Sequence, residues 1–211
     1  MADSTTGTSP TDDGLRRSPR ERLLDAAYEL FSRRGIRAVG VEEVIERAGV
    51  AKATLYRHFH SKDDLVLAFL ERRQQHWTHD IYEAQARNRD AGPEERLLAI
   101  FETFDERFRE RDFDAYLFFN ALIEMGADHA AGRASVRHVE YIKSIVRQLA
   151  ETANLRDTDA FAHSWHILVK GSIVAAAEGD PYAAQRAKAM ARDLIDRHRQ
   201  TGSQPASSSS P

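Results

Sequence analysis

Residues Val41 to Lys62 read VEEVIERAGVAKATLYRHFHSK, and this stretch decides the fold. Val41, Val44, Ile45 and Ala48 recur at helical spacing after Gly40, with Glu43 at the third helical position and Gly49 as the stop. A second short helix runs from about Ala51 to Phe59. It turns Val50, Leu55 and Phe59 inward and leaves Lys52, Ala53, Thr54, Tyr56, Arg57 and His58 facing outward. Two short helices joined by a tight turn at Gly49-Val50 make the helix-turn-helix pattern, whose second helix enters the major groove of DNA with its N-terminal residues leading. Ala53 is small enough to let base edges or a thymine methyl come close.

The surrounding chain reads as helix throughout. Upstream, Ser18 is placed as a cap with Pro19 as the first helical residue, and Leu23, Leu24, Ala27, Leu30 and Phe31 keep a helical period until Gly35. Downstream, residues 62 to about 87 contain neither Gly nor Pro, which predicts a connector helix of roughly 39 Å. Further helices are expected from Pro93 to about Arg109, about Asp114 to Met125, about Gly132 to Asn154, about Thr158 to Glu178 and Pro181 to Arg199. No segment alternates with period two, so no strand is expected. The fold class is all-α with about nine helices: a three-helix head over residues 19–61 and a helical regulatory and dimerisation body over 62–199 that begins with the connector. Residues 1–18 and 200–211, rich in Ser and poor in apolar groups, are expected to be disordered tails.

The net charge of −3 conceals an asymmetry. Residues 14–62 hold eleven Lys or Arg against six acids, a net of +5, whereas residues 63–211 carry a net of −5. A basic segment joined to an acidic one points to a polyanion-binding module, although a solvated basic surface gives the same count. The absence of cysteine excludes disulfides, thiol catalysis, iron–sulfur clusters and cysteine zinc sites. Apolar runs such as Ile173 to Ala177 are far short of the roughly 20 residues of a membrane span. The polar N-terminus lacks a secretory apolar region, so a cytoplasmic location is expected.

The segment from Arg20 to Leu70 resembles the DNA-binding domain of the tetracycline-repressor (TetR) family of bacterial transcriptional regulators. The resemblance is carried by Ala26-Ala27, Leu30-Phe31 and Gly35, by Val44-Ile45-Glu46-Arg47-Ala48-Gly49-Val50, by Thr54-Leu55-Tyr56-Arg57-His58-Phe59, and by Ser61-Lys62 with Leu65. It implies that Thr54, Tyr56 and Lys62 contact phosphates, while Lys52, Ala53, Arg57 and His58 read bases or flank them. Two positions depart from the family pattern. Gly40 stands where a Ser or Thr hydroxyl often caps the helix and touches the DNA backbone, and Ala51 stands where Ser commonly caps the recognition helix.

The resemblance further implies a homodimer on a palindromic operator, with two half-sites about 34–36 Å apart or a multiple of it. Leu168, Ser172 and Ala175 on one late helix, with Ala187, Met190, Ala191 and Leu194 on the next, make stripes suited either to that dimer interface or to the chain's own core. An excess of aromatic residues lies between connector and dimer helices. Phe101, Phe104, Phe108, Tyr116, Phe119, Asn120, Tyr141, Trp165 and His166 are the candidate lining of a pocket for a small, partly apolar effector, with Glu124 and His163 as further polar candidates. Such an effector would release DNA by preferring the state that does not bind it.

No catalytic residue, cofactor or metal is expected. No His has Glu three positions before it, and no His-Glu-x-x-His, Gly-x-Ser-x-Gly, Walker or dinucleotide motif occurs. The His76-x-x-His79 and His163-x-x-His166 pairs lack an evident third ligand. A helical protein-interaction adaptor on the same scaffold is the alternative, disfavoured by the presence of both Tyr56 and Lys62, and activation is an alternative to repression.

Overall fold

The computed structural model describes residues 17–110 and 117–199, the side chains of residues 76 and 117–120 excepted. Most of both predicted tails and Tyr116 therefore lie outside the described residues, as do the side chains of Phe119 and Asn120. Among the described residues the chain makes nine helical rods and no strand; one isolated bridge joins Leu155 and Arg199. The rods are α1 (Pro19–Arg34), α2 (Val41–Ala48), α3 (Lys52–His58), α4, α5 (Pro93–Arg107), α6 (Leu117–Met125), α7 (Ala130–Thr152), α8 (Thr158–Ala177) and α9 (Ala183–His198). Rod α4 is the predicted connector. It runs as α-helix over Lys62–Trp77, widens to a π-helix over Thr78–Glu83 and closes as α-helix over Ala84–Arg87.

Local chemistry explains where the first rods begin and end. Ser18 and Glu21 form a reciprocal capping box on α1: the Glu21 N–H donates to Ser18 Oγ at 3.2 Å, and the Ser18 N–H donates to Glu21 Oε2 at 2.8 Å. Gly40 has no side chain to cap α2, and Glu43 reaches back to accept from the Gly40 N–H at 2.9 Å. Helix α2 stops at Gly49, whose φ of 61° is the left-handed conformation that glycine adopts without a Cβ penalty.

The chain divides into two compact units. One comprises Met1–Arg72 with Leu117–Ser135, the other Arg73–Tyr116 with Val136–Pro211. In the first, Leu23, Ala27, Phe31, Val44, Leu55, Phe59, Leu65, Phe69, Ala121 and Ala131 share one buried core. The rings of Phe31 and Phe69 meet edge to face, their centroids 5.4 Å apart. The start of the connector and, through Ala121 and Met125, α6 therefore pack with the three-helix head, whereas the sequence placed its division at Lys62. The physical reason is burial, because Leu65, Val66, Phe69 and Leu70 are all buried in this core.

In the second unit α9 packs along α8 and α5. Phe101, Phe104, Phe161 and Trp165 fill its centre, with Phe101 and Trp165 centroids 4.9 Å apart. An ion pair of Arg199 with Glu94 ties the end of α9 to the start of α5. No helix of the described residues is long and apolar enough to cross a membrane.

Candidate nucleic-acid interface

Helix α3 divides its side chains as its period requires. Leu55 and Phe59 are buried in the head core, while Lys52, Ala53, Tyr56, Arg57 and His58 are exposed and Thr54 is half-buried. The Thr54 N–H donates to Ala51 O at 2.8 Å, so the helix starts on backbone alone, without a side-chain cap at Ala51. Lys62 stands half-buried at the first residue of α4, and the Asp64 N–H donates to Ser61 Oγ at 3.1 Å to cap that start. All seven residues proposed from sequence for DNA contact thus lie on α3 or at the beginning of α4.

Charge on this face is partly held in reserve. Lys52 Nζ lies 3.3 Å from Glu42 Oε1, both groups well exposed. Glu42 is held below the usual carboxylate range by the hydrogen bond of its own backbone N–H and then by Lys52. Glu43 is lowered likewise, first by the Gly40 N–H and then by Arg34. Exposed pairs of this kind contribute little to stability. Lys52 can therefore exchange a carboxylate for a phosphate at small cost.

One contact was invisible in the sequence. The Glu124 carboxylate of α6 was a polar candidate for the effector pocket, yet it turns to the head. Its Oε2 accepts from the Ile36 N–H at 2.8 Å and from the Arg37 N–H at 3.2 Å, and so holds the turn between α1 and α2. Gly35 lies beneath it with φ of 82°, and a Cβ at that position would overlap Glu124 Oε1. Nothing local to either residue signals a partner 88 positions away.

The remaining candidates separate by burial. Phe101, Phe104 and Trp165 are packed against one another or against Trp77, Tyr82 and Phe108, and so form core. Phe108 is half-buried. Tyr141 is a correction: it is exposed and its hydroxyl donates to Glu83 Oε1 at 2.8 Å, on the surface of α7 rather than inside. His166 is half-buried, and neither ring nitrogen has a hydrogen-bond partner among the described residues. Burial, then Lys170 and Lys143, push its pKa down to about 4. His163 does not pair with it as a metal ligand would: its Nδ1–H donates to Asp159 O at 2.8 Å and its Nε2 accepts from Lys143 Nζ at 3.1 Å.

The small-residue stripes also need correcting. Ser172, Ala187, Ala191 and Leu194 are buried within the chain, where α8 and α9 pack on each other, and Leu168 and Ala175 are half-buried. Small side chains let two helices of the same chain approach closely. The large apolar side chains that these helices leave exposed are Ile167 at 68%, Met190 at 55% and Val174 at 44%. Of the predicted interface set only Met190 is among them.

Comparison with known proteins bears on the head first. The sequence profile described as bacterial regulatory proteins, tetR family, matches residues 23–69. The chain is 40% identical over 97 residues to the HTH-type transcriptional activator FasR of Mycolicibacterium smegmatis, covering 46% of this chain and 43% of that protein. It is 31% identical over 144 residues to the HTH-type transcriptional repressor KstR2 of Mycobacterium tuberculosis, covering 64% and 62%. These matches span about half the length of the curated relatives. A solved TetR-family transcriptional regulator from Streptomyces coelicolor superposes with a TM-score of 0.79 at 27% identity, over 86% of this chain and 96% of that one. Helix order, the α2–α3 pair and these likenesses agree: the chain belongs to the TetR family of bacterial regulatory proteins.

Proposed function

We propose that the chain is a homodimeric, sequence-specific DNA-binding regulator of transcription, a repressor released from a palindromic operator by a small, partly apolar effector. The observation that carries this reading is the outer face of α3, where Lys52, Ala53, Tyr56, Arg57 and His58 are exposed together with no acidic side chain among them. Thr54, Tyr56 and Lys62 set register on the phosphates, and Lys52, Ala53, Arg57 and His58 face the bases. In this division of labour residues 19–61 bind DNA and residues 62–199 regulate and dimerise. The dimer face is the exposed Ile167, Val174 and Met190 of α8 and α9, whose apolar area gains from burial against a second copy. Its partner being chromosomal DNA, the protein works in the cytoplasm.

Activation is the second reading, favoured by the relative named an activator. The test is to mix the protein with fragmented genomic DNA from its source, recover bound fragments at near-physiological salt and sequence them. One enriched inverted repeat supports the proposal, and a reporter placed behind that repeat separates repression from activation. Fragments without a shared repeat refute the sequence-specific dimer.

A further inference from the structure

Several cations around the head face a carboxylate. Arg17 pairs with Asp25 at 2.9 Å, Arg47 with Glu29 at 2.7 Å, Lys52 with Glu42 at 3.3 Å, and Arg34 with Glu43. Arg20 differs. Among the described residues no carboxylate pairs with it, and its guanidinium carbon instead lies 5.6 Å from the centroid of the Phe59 ring. Phe59 closes the recognition helix: its N–H donates to Leu55 O at 2.8 Å, its ring is buried, and the His58 ring lies 6.4 Å away. Arg20 belongs to the first turn of α1, yet its side chain is carried to the last turn of α3, three positions before Lys62.

The placement runs against local preference. A helix N-terminus is its positive pole and favours acids, as Glu21 illustrates, so a cation in that turn is disfavoured. The face of an aromatic ring attracts a guanidinium and offsets part of this, while also fixing where the planar fork points. An exposed, positioned guanidinium without a carboxylate partner suits bidentate recognition of phosphate oxygens.

We infer that Arg20 is a further DNA-backbone contact, delivered from α1 by its packing on Phe59, so that each head grips the duplex backbone from α1 as well as from α3 and α4. The inference rests on the DNA-binding reading above and adds to it a residue outside the helix-turn-helix. Its test is the salt dependence of binding to a mixed-sequence duplex of about 30 base pairs, where backbone contacts dominate and each lost charge contact lowers the slope of log K against log salt by about 0.9. Arg20→Ala is expected to flatten the slope by that amount per head, Arg20→Lys to keep it, and both to melt with the wild type. Lys62→Ala is the internal reference. A flattened slope for Lys62→Ala with none for Arg20→Ala overturns the role of Arg20 and leaves the DNA-binding reading standing. Weaker binding of Arg20→Ala at unchanged slope also overturns it, by assigning Arg20 to folding of the head. A wild-type chain without affinity for the duplex overturns both.

Discussion

Replacing Glu124 by Ala removes the carboxylate that accepts two backbone N–H groups of the α1–α2 turn, at 2.8 and 3.2 Å. A hydrogen bond to a charged acceptor contributes about 1.5–3 kcal/mol. The Arg37 N–H is exposed and takes water instead, whereas the Ile36 N–H is partly buried, so the loss is about 2 kcal/mol overall. For a chain of this size that lowers the melting temperature by about 4–8 °C. Gly35→Ala strains the backbone at φ 82° by about 1–2 kcal/mol and also pushes the carboxylate off the turn, for about 3–4 kcal/mol in all. In the double variant the carboxylate is already gone, so the pair costs about as much as Gly35→Ala alone, and the cycle closes with a coupling of about 2 kcal/mol. Urea denaturation of the four proteins measures this, and hydrogen exchange at the Ile36 amide, expected to quicken in Glu124→Ala, locates it. Additive losses, or an Ile36 amide that exchanges at the wild-type rate, refute the assignment.

Further outcomes are expected. Lys62→Ala flattens the salt dependence of operator binding by about 0.9 per head, and Tyr56→Phe weakens binding without unfolding, both read by fluorescence anisotropy. Gly40→Ser gives α2 a hydroxyl cap at a φ of −81° where a Cβ meets Glu43 Oε1 at only 3.6 Å; stability rises by a few tenths of a kcal/mol in urea, and DNA affinity rises with the added donor. Burial pushes His138 and His166 down to about 4, below the 6.5 of an unfolded chain. Their native states bind fewer protons, so stability is complete above pH 6.5 and falls between 6.5 and 4, by up to about 1.4 kcal/mol per pH unit for each group; melting curves of His138→Gln should show a shallower fall. Ile167→Asp with Met190→Asp should convert a dimer to a monomer in analytical ultracentrifugation and lose tight operator binding, since one head reads one half-site.

The head was legible because its determinants are local. Ser18 and Glu21 are three residues apart, Gly49 follows its helix directly, and the inward set of Leu55 and Phe59 is separated by one turn. The body was read less well where one signal serves two structures. Ala187, Ala191 and Leu194 make the same stripe whether it faces α8 of the same chain or a second copy, and periodicity cannot distinguish them. Tyr141 was grouped with Trp165 by residue type alone, yet one is exposed and the other fully buried. The connector was foreseen in its length, while its π-helical stretch at Thr78–Glu83 has no Gly or Pro to announce it. The partnership of Glu124 with Ile36 is a long-range event between a helix and a turn that each look complete alone.

The first unit is discontinuous in sequence, since Ala121, Glu124 and Ala131 complete a core begun at Leu23. During synthesis the recognition helix emerges from the ribosome well before the residues that seal its scaffold. The head thus reaches its final form only after the chain has been made past Ser135, and a fragment cut after Arg72 inherits the reading surface without the clasp on its α1–α2 turn.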